Sequence, residues 1–396
     1  MTERRLALGR RVVAGVGAGP VARLDRGHSL LVVGPTQAGK TSSLVVPAIL
    51  DWPGPVVVTS VKNDVVRATV DWRSGLGDTQ RLEPGGDQGL TWDPLEGVAS
   101  LRHALRVAQS LTRESTRADG DFWNSLAVKL IAALFVIATS RGWDIFDVAR
   151  AVENRRWSEW STSGASSEAD AMLRSFRDYD PKTLDGVVTT AETMLLAWRF
   201  RQPTARIAAV LDGPNTLYLC SPRGEHASYE ALFRGALRAV VEAQQRRHDE
   251  GRARRLLLVL DEAATVASLD ELDQMAATLS GLDVTLMTVV QDFAQLVARW
   301  GPRAATIVNN HATRLVMAGL ADPTVATYLP EIFATTKDRP AAPLRTRPRN
   351  TAVVVAGRRA VYSVRMIPWW RWRRLRQRGR RRSSVLCGDG RTRRQP

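Results

Sequence analysis

One short segment near the start of the chain combines two glycines with a lysine and a hydroxyl residue in a fixed order. It fits the pattern G-x-x-x-x-G-K-[ST], which binds phosphates when a strand precedes it and a helix follows it. The apolar run Ser29–Gly34 leads into this segment, and a helical pattern continues from Thr41 to Leu50. The predicted nucleotide-binding residues are Gly34, Pro35, Thr36, Gln37, Ala38, Gly39, Lys40 and Thr41.

The residue types in this segment explain how it would hold a nucleotide. Glycines allow successive backbone N–H groups to turn toward phosphate oxygens, and the following helix adds positive potential at its N-terminus. Lys40 would reach the β- and γ-phosphates, and the Thr41 hydroxyl would ligate Mg²⁺. The alternative is a glycine-rich turn without a ligand, which the flanking strand and helix disfavour. The sequence therefore predicts ATP and Mg²⁺ as cofactors.

Two adjacent carboxylates, Asp261 and Glu262, directly follow the apolar run Leu256–Leu260. Ligands of open α/β sheets bind at the carboxyl ends of the strands, which is where this run would deliver both side chains. Asp261 is predicted to hold Mg²⁺, and Glu262 to act as general base on the attacking water. The alternative, in which Asp261 caps the following helix, leaves Glu262 without a role.

Gln291 follows another apolar run, Val284–Val290, and is a candidate sensor of the γ-phosphate. Its amide could donate to a phosphate oxygen and accept from the attacking water. A glutamine at the end of a strand is also a common capping residue, so spacing alone leaves both interpretations open.

Short apolar runs separated by helical patterns must position these residues, and such a series is typical of an α/β fold with a mostly parallel sheet. A further strand-like run covers Thr351–Ala356. The other predicted strands are Ser29–Gly34, Pro55–Ser60, Thr216–Cys220, Leu256–Leu260, Val284–Val290 and Arg314–Ala318.

Residues 100–205 have a different pattern, with helical periodicity over Leu101–Leu111, Phe122–Thr139 and Thr189–Phe200 and no strand-like run. This pattern predicts an all-α domain inserted into the α/β domain. The predicted divisions are residues 1–99 and 206–366 for the two parts of the P-loop domain, 100–205 for the inserted domain and 367–396 for a basic tail.

The basic tail holds much of the chain's net charge of +16, because residues 369–396 contain eleven arginines and one acidic residue. Trp369, Trp370 and Trp372 lie among the first of these arginines. Such a mixture could bind phosphates by charge and stack on bases, or lie at a membrane surface. The alternative is a solvated, disordered tail with no fixed partner.

Two features predict a cytoplasmic chain. Its two cysteines, Cys220 and Cys387, suggest no disulfide framework, which fits a reducing compartment. The longest apolar stretch, Leu126–Thr139, is about fourteen residues and falls short of the roughly 20 that span a bilayer. The sequence therefore predicts no transmembrane segment.

Together, these motifs resemble the type IV secretion coupling proteins, the conjugative DNA-transfer ATPases, and in particular their actinobacterial branch. The resemblance runs over most of the chain and rests on an ordered set of segments. They are Gly34–Thr41 with Leu44–Leu50, Val58–Lys62, Trp92–Leu95, Asp121–Trp123, Leu258–Ala264, Val290–Gln295 and Ala298–Gly301.

The resemblance implies a RecA-like P-loop motor domain bearing the all-α domain and assembling as a homo-hexamer. It also implies that the ring recruits single-stranded DNA with its bound relaxase to the channel components of a type IV secretion system. Gln291 becomes a γ-phosphate sensor by the same resemblance. The expected location is the inner face of the cell membrane, with membrane contact only through a partner or the basic tail.

The sequence departs from the family in two ways. Family members usually begin with transmembrane helices, whereas this chain starts almost directly at the predicted first strand of the motor. Many relatives also place an arginine between the catalytic glutamate and the sensor glutamine, but residues 263–290 contain no arginine or lysine.

Two other functions stay open at this point. One is a double-stranded DNA translocase of the chromosome-segregation type, which shares the motor core, although no winged-helix pattern follows Pro340. The other is a recruitment module that binds ATP without hydrolysing it. The presence of Glu262 argues against the second of these.

Overall fold

The structure is a computed structural model. Two residues of the family-like segments, Val61 and Lys62, lie outside the described residues, as do Cys387 and the end of the basic tail. The described residues are 5–12, 19–60, 63–85, 89–112, 118–160, 167–221, 226–265, 269–330, 344, 347–357 and 360–379.

Within the described residues, eleven strands form one sheet and two short strands form a separate pair. The strands are β1 Ala7–Arg11, β2 Val21–Arg23, β3 Leu30–Val33, β4 Val56–Ser60, β5 Thr79–Leu82, β6 Thr91–Trp92, β7 Thr204–Ala205, β8 Thr216–Cys220, β9 Leu256–Leu260, β10 Val284–Val290, β11 Thr313–Met317, β12 Thr351–Ala356 and β13 Ala360–Arg365.

The large sheet has the order β2-β1-β13-β12-β11-β3-β10-β9-β4-β8-β5. From β11 to β5 all neighbouring strands are parallel, whereas β12, β13, β1 and β2 are joined by antiparallel pairs. The predicted α/β fold with a mostly parallel sheet is confirmed. At the antiparallel end, the sequence predicted β12 and missed β13, β1 and β2, which are short or carry polar residues instead of forming continuous apolar runs.

The helices cover both faces of this sheet and fill the region between β6 and β7. They are α1 Val46–Asp51, α2 Asn63–Ser74, α3 Leu101–Ser110, α4 Ala118–Ser140, α5 Ile145–Glu153, α6 Ser167–Ser175, α7 Pro181–Leu195, α8 His226–Asp249, α9 Leu272–Thr278, α10 Phe293–Trp300, α11 Arg303–Asn310, α12 Val325–Tyr328 and α13 Arg373–Arg378. Short 3₁₀ segments are Trp157–Trp160, Phe176–Asp178, Leu196–Trp198, Ile207–Asp212, Leu279–Leu282 and Trp369–Arg371.

Two sequence predictions differ from the structure between residues 100 and 205. The helix predicted over Thr189–Phe200 instead begins at Pro181, where the Asp180 side chain accepts hydrogen bonds from two backbone N–H groups, and ends at Leu195. The prediction of no strand is wrong at the last two residues, since β7 pairs with β6. The early helix start follows from this cap and from the proline at the first helical position.

Alternate residues of the central strands point into two cores, as the period of a strand requires. Leu30 and Val32 of β3 pack with α1 and α2 on one face of the sheet. Leu31 and Val33 pack on the other face, in the core that also contains the helices of residues 100–205. The inserted helices and the sheet therefore share one continuous core.

Helix α4 is longer than the apolar run Leu126–Thr139 seen in the sequence. In the described residues, its stretch Asp121–Ser140 is long and apolar enough to cross a membrane, and 56% of that stretch is buried inside the protein. Its buried side chains, such as Leu130 and Phe135, belong to the core shared with the neighbouring helices. Packing within the protein therefore accounts for much of its apolar composition.

The C-terminal segment does not extend into solvent at residues 369–379. Leu375 of α13 is buried and packs with Val46 and Leu50 of α1. The alternative of a disordered tail is therefore wrong for these residues, because their apolar side chains have a surface to cover. Residues 380–396 lie outside the described part of the chain.

Candidate functional site

The predicted site residues meet where three neighbouring parallel strands end. β10 lies between β3 and β9, pairing with Val33 at Val290 and with Leu260 at Thr288. The P-loop, Gln291 and the two carboxylates therefore leave the sheet at one edge. They surround a cavity of about 430 Å³. Its lining includes Thr36, Gln37, Ala38, Gly39, Lys40, Thr41, Asp261, Glu262 and Gln291.

Two P-loop positions show why glycine is needed there. A Cβ on Gly34 would lie 2.9 Å from the Met317 side chain, which is closer than real Cβ atoms approach. Gly39 has φ +88°, a conformation that costs little only without a Cβ. The loop therefore keeps its backbone close to the sheet and turned toward the cavity.

Lys40 is buried and directs its ammonium group along the loop. Its Nζ donates to the carbonyl oxygens of Gly34, at 2.5 Å, and Pro35, at 3.0 Å. Gly34 and Pro35 therefore hold the lysine, although neither lines the cavity. Among the described residues around the cavity, Lys40 is the one basic side chain.

Thr41 begins a π-helical turn, Thr41–Val45, that leads into α1. Pro47 has no N–H to donate and lies next to the point where the helix type changes. The Thr41 hydroxyl donates to an Asp261 carboxylate oxygen at 3.4 Å. This hydroxyl and carboxylate are hard oxygen donors of the kind that Mg²⁺ prefers, so the residues present fit the predicted metal.

Asp261 is buried at the end of β9. Burial raises its pKa to about 6, and the adjacent Glu262 carboxylate adds to the rise, whereas Lys40 and Thr41 oppose it. Its backbone carbonyl accepts a hydrogen bond from the Thr59 hydroxyl at 3.2 Å. This bond ties the backbone of Asp261 to β4, and a cation beside the carboxylate would stabilise its charged form.

Glu262 has φ +54°, a left-handed conformation that is uncommon for a residue with a side chain. Such strain is often found at functional sites, where the surrounding structure maintains it. Asp261 caps no helix in the described residues that follow it, since α9 begins only at Leu272 with Glu271 at its N-cap. The capping alternative for Asp261 is therefore wrong.

Gln291 also does not cap a helix. Asp292 is the N-cap of α10, where its side chain accepts from the Gln295 N–H at 2.7 Å. The Gln291 backbone N–H donates to the Gln295 side-chain oxygen at 3.0 Å, and the residue lines the cavity. The capping function belongs to its neighbour, and Gln291 lies beside the candidate phosphate site.

Sequence reasoning missed the other side of this cavity. Asp64 and Ala68 of α2, Val46 of α1 and the tryptophans Trp369 and Trp370 also line it. A signal for the tryptophans exists in the sequence, because Trp369, Trp372 and Leu375 recur at every third position and pack in one cluster. That spacing indicates one helical face, although it does not indicate which surface the face covers.

The family-like segment Ala298–Gly301 contacts the segment that follows Asp261 and Glu262. Arg299 makes an ion pair with Asp270 at 3.0 Å, and the Trp300 indole N–H donates to the Leu269 carbonyl at 2.8 Å. Leu269 and Asp270 belong to the segment that follows the two carboxylates. Helix α10, which begins just after Gln291, is thereby tied to the chain that leaves Glu262.

Comparison with known proteins places this chain in a family. Residues 7–336 match the model for type IV secretory system conjugative DNA transfer. A conjugal transfer protein TraG of Escherichia coli is 24% identical over 311 residues, covering 68% of this chain and 49% of that protein. Protein VirD4 of Rhizobium radiobacter is 21% identical over 331 residues, covering 77% and 48% respectively. The chain thus spans about half the length of these curated relatives.

Solved structures agree in fold. The bacterial conjugative coupling protein TrwB, in its unbound monoclinic form, superposes with a TM-score of 0.67 at 17% identity, covering 92% of this chain and 94% of that one. VirB4 of Thermoanaerobacter pseudethanolicus gives a TM-score of 0.56 at 12% identity, covering 92% and 96%. The likeness to TrwB confirms the predicted RecA-like P-loop fold. With the family model covering most of its length, the chain belongs to the type IV secretory system conjugative DNA transfer family.

Proposed function

We propose that this chain is an ATP-hydrolysing motor that recruits single-stranded DNA with its bound relaxase and moves it to a type IV secretion channel. One observation carries the proposal. In a chain of this family, Lys40, Thr41 and Gln291 line the same cavity as the two carboxylates Asp261 and Glu262. A triphosphate, a metal and an attacking water each have a chemically suited partner there.

Names and titles of similar proteins support the choice of cargo and nucleotide. The matched relatives are a conjugal transfer protein and VirD4. TrwB has been solved with ADP and Mg²⁺, with a non-hydrolysable ATP analogue and with a non-hydrolysable GTP analogue. We infer ATP and Mg²⁺ as the cofactors of this chain.

The P-loop would hold the phosphates. Residues 36–41 lie at the start of a helical segment, where backbone N–H groups would stabilise an anion. Lys40 now donates to two loop carbonyls, and turning its Nζ toward the β- and γ-phosphates would replace these contacts with charge-assisted bonds. This lysine therefore stabilises the charge that develops during phosphoryl transfer.

Thr41 and Asp261 would hold the metal. Mg²⁺ bound there would neutralise charge on the β- and γ-phosphate oxygens. The raised pKa of Asp261 reflects a buried charge without enough compensation. A cation at this position supplies that compensation, so the carboxylate would be ionised when the nucleotide is bound.

Glu262 would act on water. As general base, its carboxylate accepts a proton from the water that attacks the γ-phosphate. Gln291, at the end of the adjacent strand, would orient this water and donate to the γ-phosphate through its amide. Loss of the γ-phosphate would then change what the Gln291 amide contacts, at a residue whose backbone N–H is bonded to Gln295 of α10.

The larger assembly is part of the proposal. Residues 1–99 and 206–366 form the motor domain, residues 100–205 the inserted all-α domain and residues 367–396 the basic tail. A homo-hexamer of this chain would work at the inner face of the cell membrane, with the secretion channel and the relaxase as partners. Since Lys40 is the one basic side chain among the described residues of the cavity, a neighbouring subunit is the natural source of further positive charge.

Steady-state ATPase activity tests the proposal. The purified chain would be assayed without nucleic acid, with single-stranded DNA and with duplex DNA, using Glu262→Gln as the blank. We expect stimulation by single strands. Preference for duplex would support a chromosome-segregation type of translocase instead. ATP binding without turnover under every condition would support a recruitment module.

The basic tail offers a second measurement on the same preparation. If about six phosphates are neutralised, DNA affinity should fall roughly 10³-fold between 50 and 200 mM salt. A chain truncated after Ile367 should have a smaller salt slope. An unchanged slope would remove the tail from DNA binding while leaving the motor proposal intact.

A further inference from the structure

The nucleotide cavity has a second wall, which we call the tryptophan wall: Trp369 and Trp370, with Val46 and Ala68 beside them. The two indoles meet edge to face, with ring centroids 5.9 Å apart and planes at 83°. Trp370 keeps 45% of its surface exposed although it is a large apolar residue. An exposed indole at the mouth of a cavity has a free aromatic surface for a ligand.

Helix α13 holds this wall in place. Arg378 donates to the Leu50 carbonyl at 2.8 Å and to Asp51 at 3.0 Å, and its guanidinium lies 4.7 Å from the Trp72 ring centroid. Arg374 adds a second bond to Asp51 at 2.5 Å. Asp51 ends α1, which continues the π-helical turn that begins at Thr41. The tryptophan wall is thus anchored to the far end of the helical segment Thr41–Asp51, whose start would bind the phosphates.

The fit between α13 and the indoles is close. A Cβ added to Gly379 would lie 2.3 Å from the Trp369 ring, so this glycine allows the chain to pass against it. The Trp372 indole N–H donates to the Ile367 carbonyl at 3.1 Å, which fixes the start of the segment. Trp369 therefore packs against α13, and Trp370 is the outer, more exposed ring.

We propose that Trp370 stacks on the nucleobase of the bound nucleotide, with Trp369 as its support. The P-loop would fix the phosphates at one side of the cavity, so the base would lie toward another part of the same lining. Most of that lining beyond the P-loop and the carboxylates is apolar or aromatic. A planar heterocycle gains from stacking on such a face, by about 1–3 kcal/mol per base in nucleic-acid complexes.

Specificity follows from this geometry. An indole face contacts the π-surface of a base and does not read its hydrogen-bonding edge, so stacking tolerates different bases. A purine covers more of an indole than a pyrimidine does. We therefore expect ATP and GTP to bind with similar affinity and CTP to bind more weakly.

The test separates the base from the phosphates. Binding to the full chain would be measured by calorimetry, in Mg²⁺, for the β,γ-imido analogue of ATP and for inorganic tripolyphosphate, which has no base. The variants are Trp370→Ala and Trp370→Phe. Trp143→Ala is the matched control, since Trp143 is also a partly exposed indole in edge contact with another indole, Trp160, but lies outside the cavity.

We expect Trp370→Ala to weaken binding of the ATP analogue by roughly tenfold while leaving tripolyphosphate binding unchanged. Trp370→Phe should recover most of the loss, and Trp143→Ala should bind both probes as the unmodified chain does. Equal binding of the analogue by Trp370→Ala, or equal losses for both probes, would overturn the inference. It rests on the nucleotide site and not on DNA transport, so a chain that fails to move DNA could still show this difference.

Discussion

The nucleotide cavity is enclosed by two walls of different origin. The phosphate wall consists of residues 36–41, the two carboxylates and Gln291, all at the carboxyl ends of buried parallel strands. The tryptophan wall comes from a segment far along the chain that docks on α1 through a few contacts at the protein surface. The first wall would bind charge with backbone and ionised groups, and the second would bind an aromatic ring with apolar surface.

This difference shows that the position of a wall in the fold decides which substitutions it can tolerate. The phosphate wall is continuous with the core of the sheet, so its geometry and the protein's stability depend on each other. The tryptophan wall can be weakened without disturbing that core. The two walls should therefore respond differently to substitution, and the following predictions test that separation.

The largest expected effect is on the phosphate wall at Lys40. Lys40→Ala removes the one basic side chain among the described residues of the cavity, and nucleotide-dependent activity should fall to the level of the blank. Binding of both tripolyphosphate and the ATP analogue should be lost together, because the phosphates are what this residue contacts. Loss of only one of the two probes would contradict the separation of the walls. Circular dichroism of the variant controls for folding.

Glu262→Gln should separate binding from chemistry within the phosphate wall. An amide of the same shape cannot accept the proton of the attacking water, so turnover should be about 10²–10⁴-fold slower. Affinity for the ATP analogue should stay near that of the unmodified chain. Single-turnover hydrolysis measures the rate. Turnover equal to that of the unmodified chain would exclude Glu262 as the base.

The stability of the sheet beneath the phosphate wall should decrease at acid pH. His311 is fully buried, and burial lowers its pKa to about 4. Its Nδ1–H donates to the Ile307 carbonyl at 2.7 Å, and its Nε2 accepts from the Thr288 hydroxyl of β10 at 2.9 Å. The folded protein therefore stabilises the neutral form of the His311 ring.

The folded-state pKa of His311 lies below the ordinary histidine value of about 6.5, so acid should lower the free energy of unfolding. Below pH 6.5, His311 becomes protonated in the unfolded chain but stays neutral in the folded chain. Stability is therefore lost between pH 6.5 and about 4. Relative to His311→Gln, the unmodified protein should lose roughly 3 kcal/mol of unfolding free energy over this range. Urea titrations at several pH values measure it, and parallel curves for the two proteins would contradict the prediction.

The smallest effect is expected at the anchor of the tryptophan wall. Asp51→Asn removes the charge that pairs with Arg374 and Arg378. Partly exposed ion pairs contribute little, so affinity for the ATP analogue should fall by no more than about fivefold. Tripolyphosphate binding should not change. A matched control is Asp185→Asn, which removes an exposed ion pair with Arg155 in the inserted helices. Equal effects of the two substitutions would show that the anchor does not act on the nucleotide site.

The phosphate wall could be predicted from the sequence, whereas the tryptophan wall could not. Buried parallel strands are continuous apolar runs. The runs before Gly34, Asp261 and Gln291 therefore predicted both the strands and the sheet edge where the side chains that follow them meet. Strands β1 and β5 were missed because arginines and other polar residues interrupt their pattern. The location of Trp370 depends on docking between distant parts of the chain, which no local pattern contains.

Among the described strands, β1 pairs with β13, and this pairing has a consequence for biosynthesis. β1 hydrogen-bonds with β13, and the tryptophan wall follows β13 directly. While the chain is still on the ribosome, β1 has no permanent neighbour on that side, and the place where the base would stack does not yet exist. Contacts that join such distant segments form late and slowly. The base-stacking surface inferred at Trp370 should therefore form only after residues 360–379 have emerged and β13 has paired with β1.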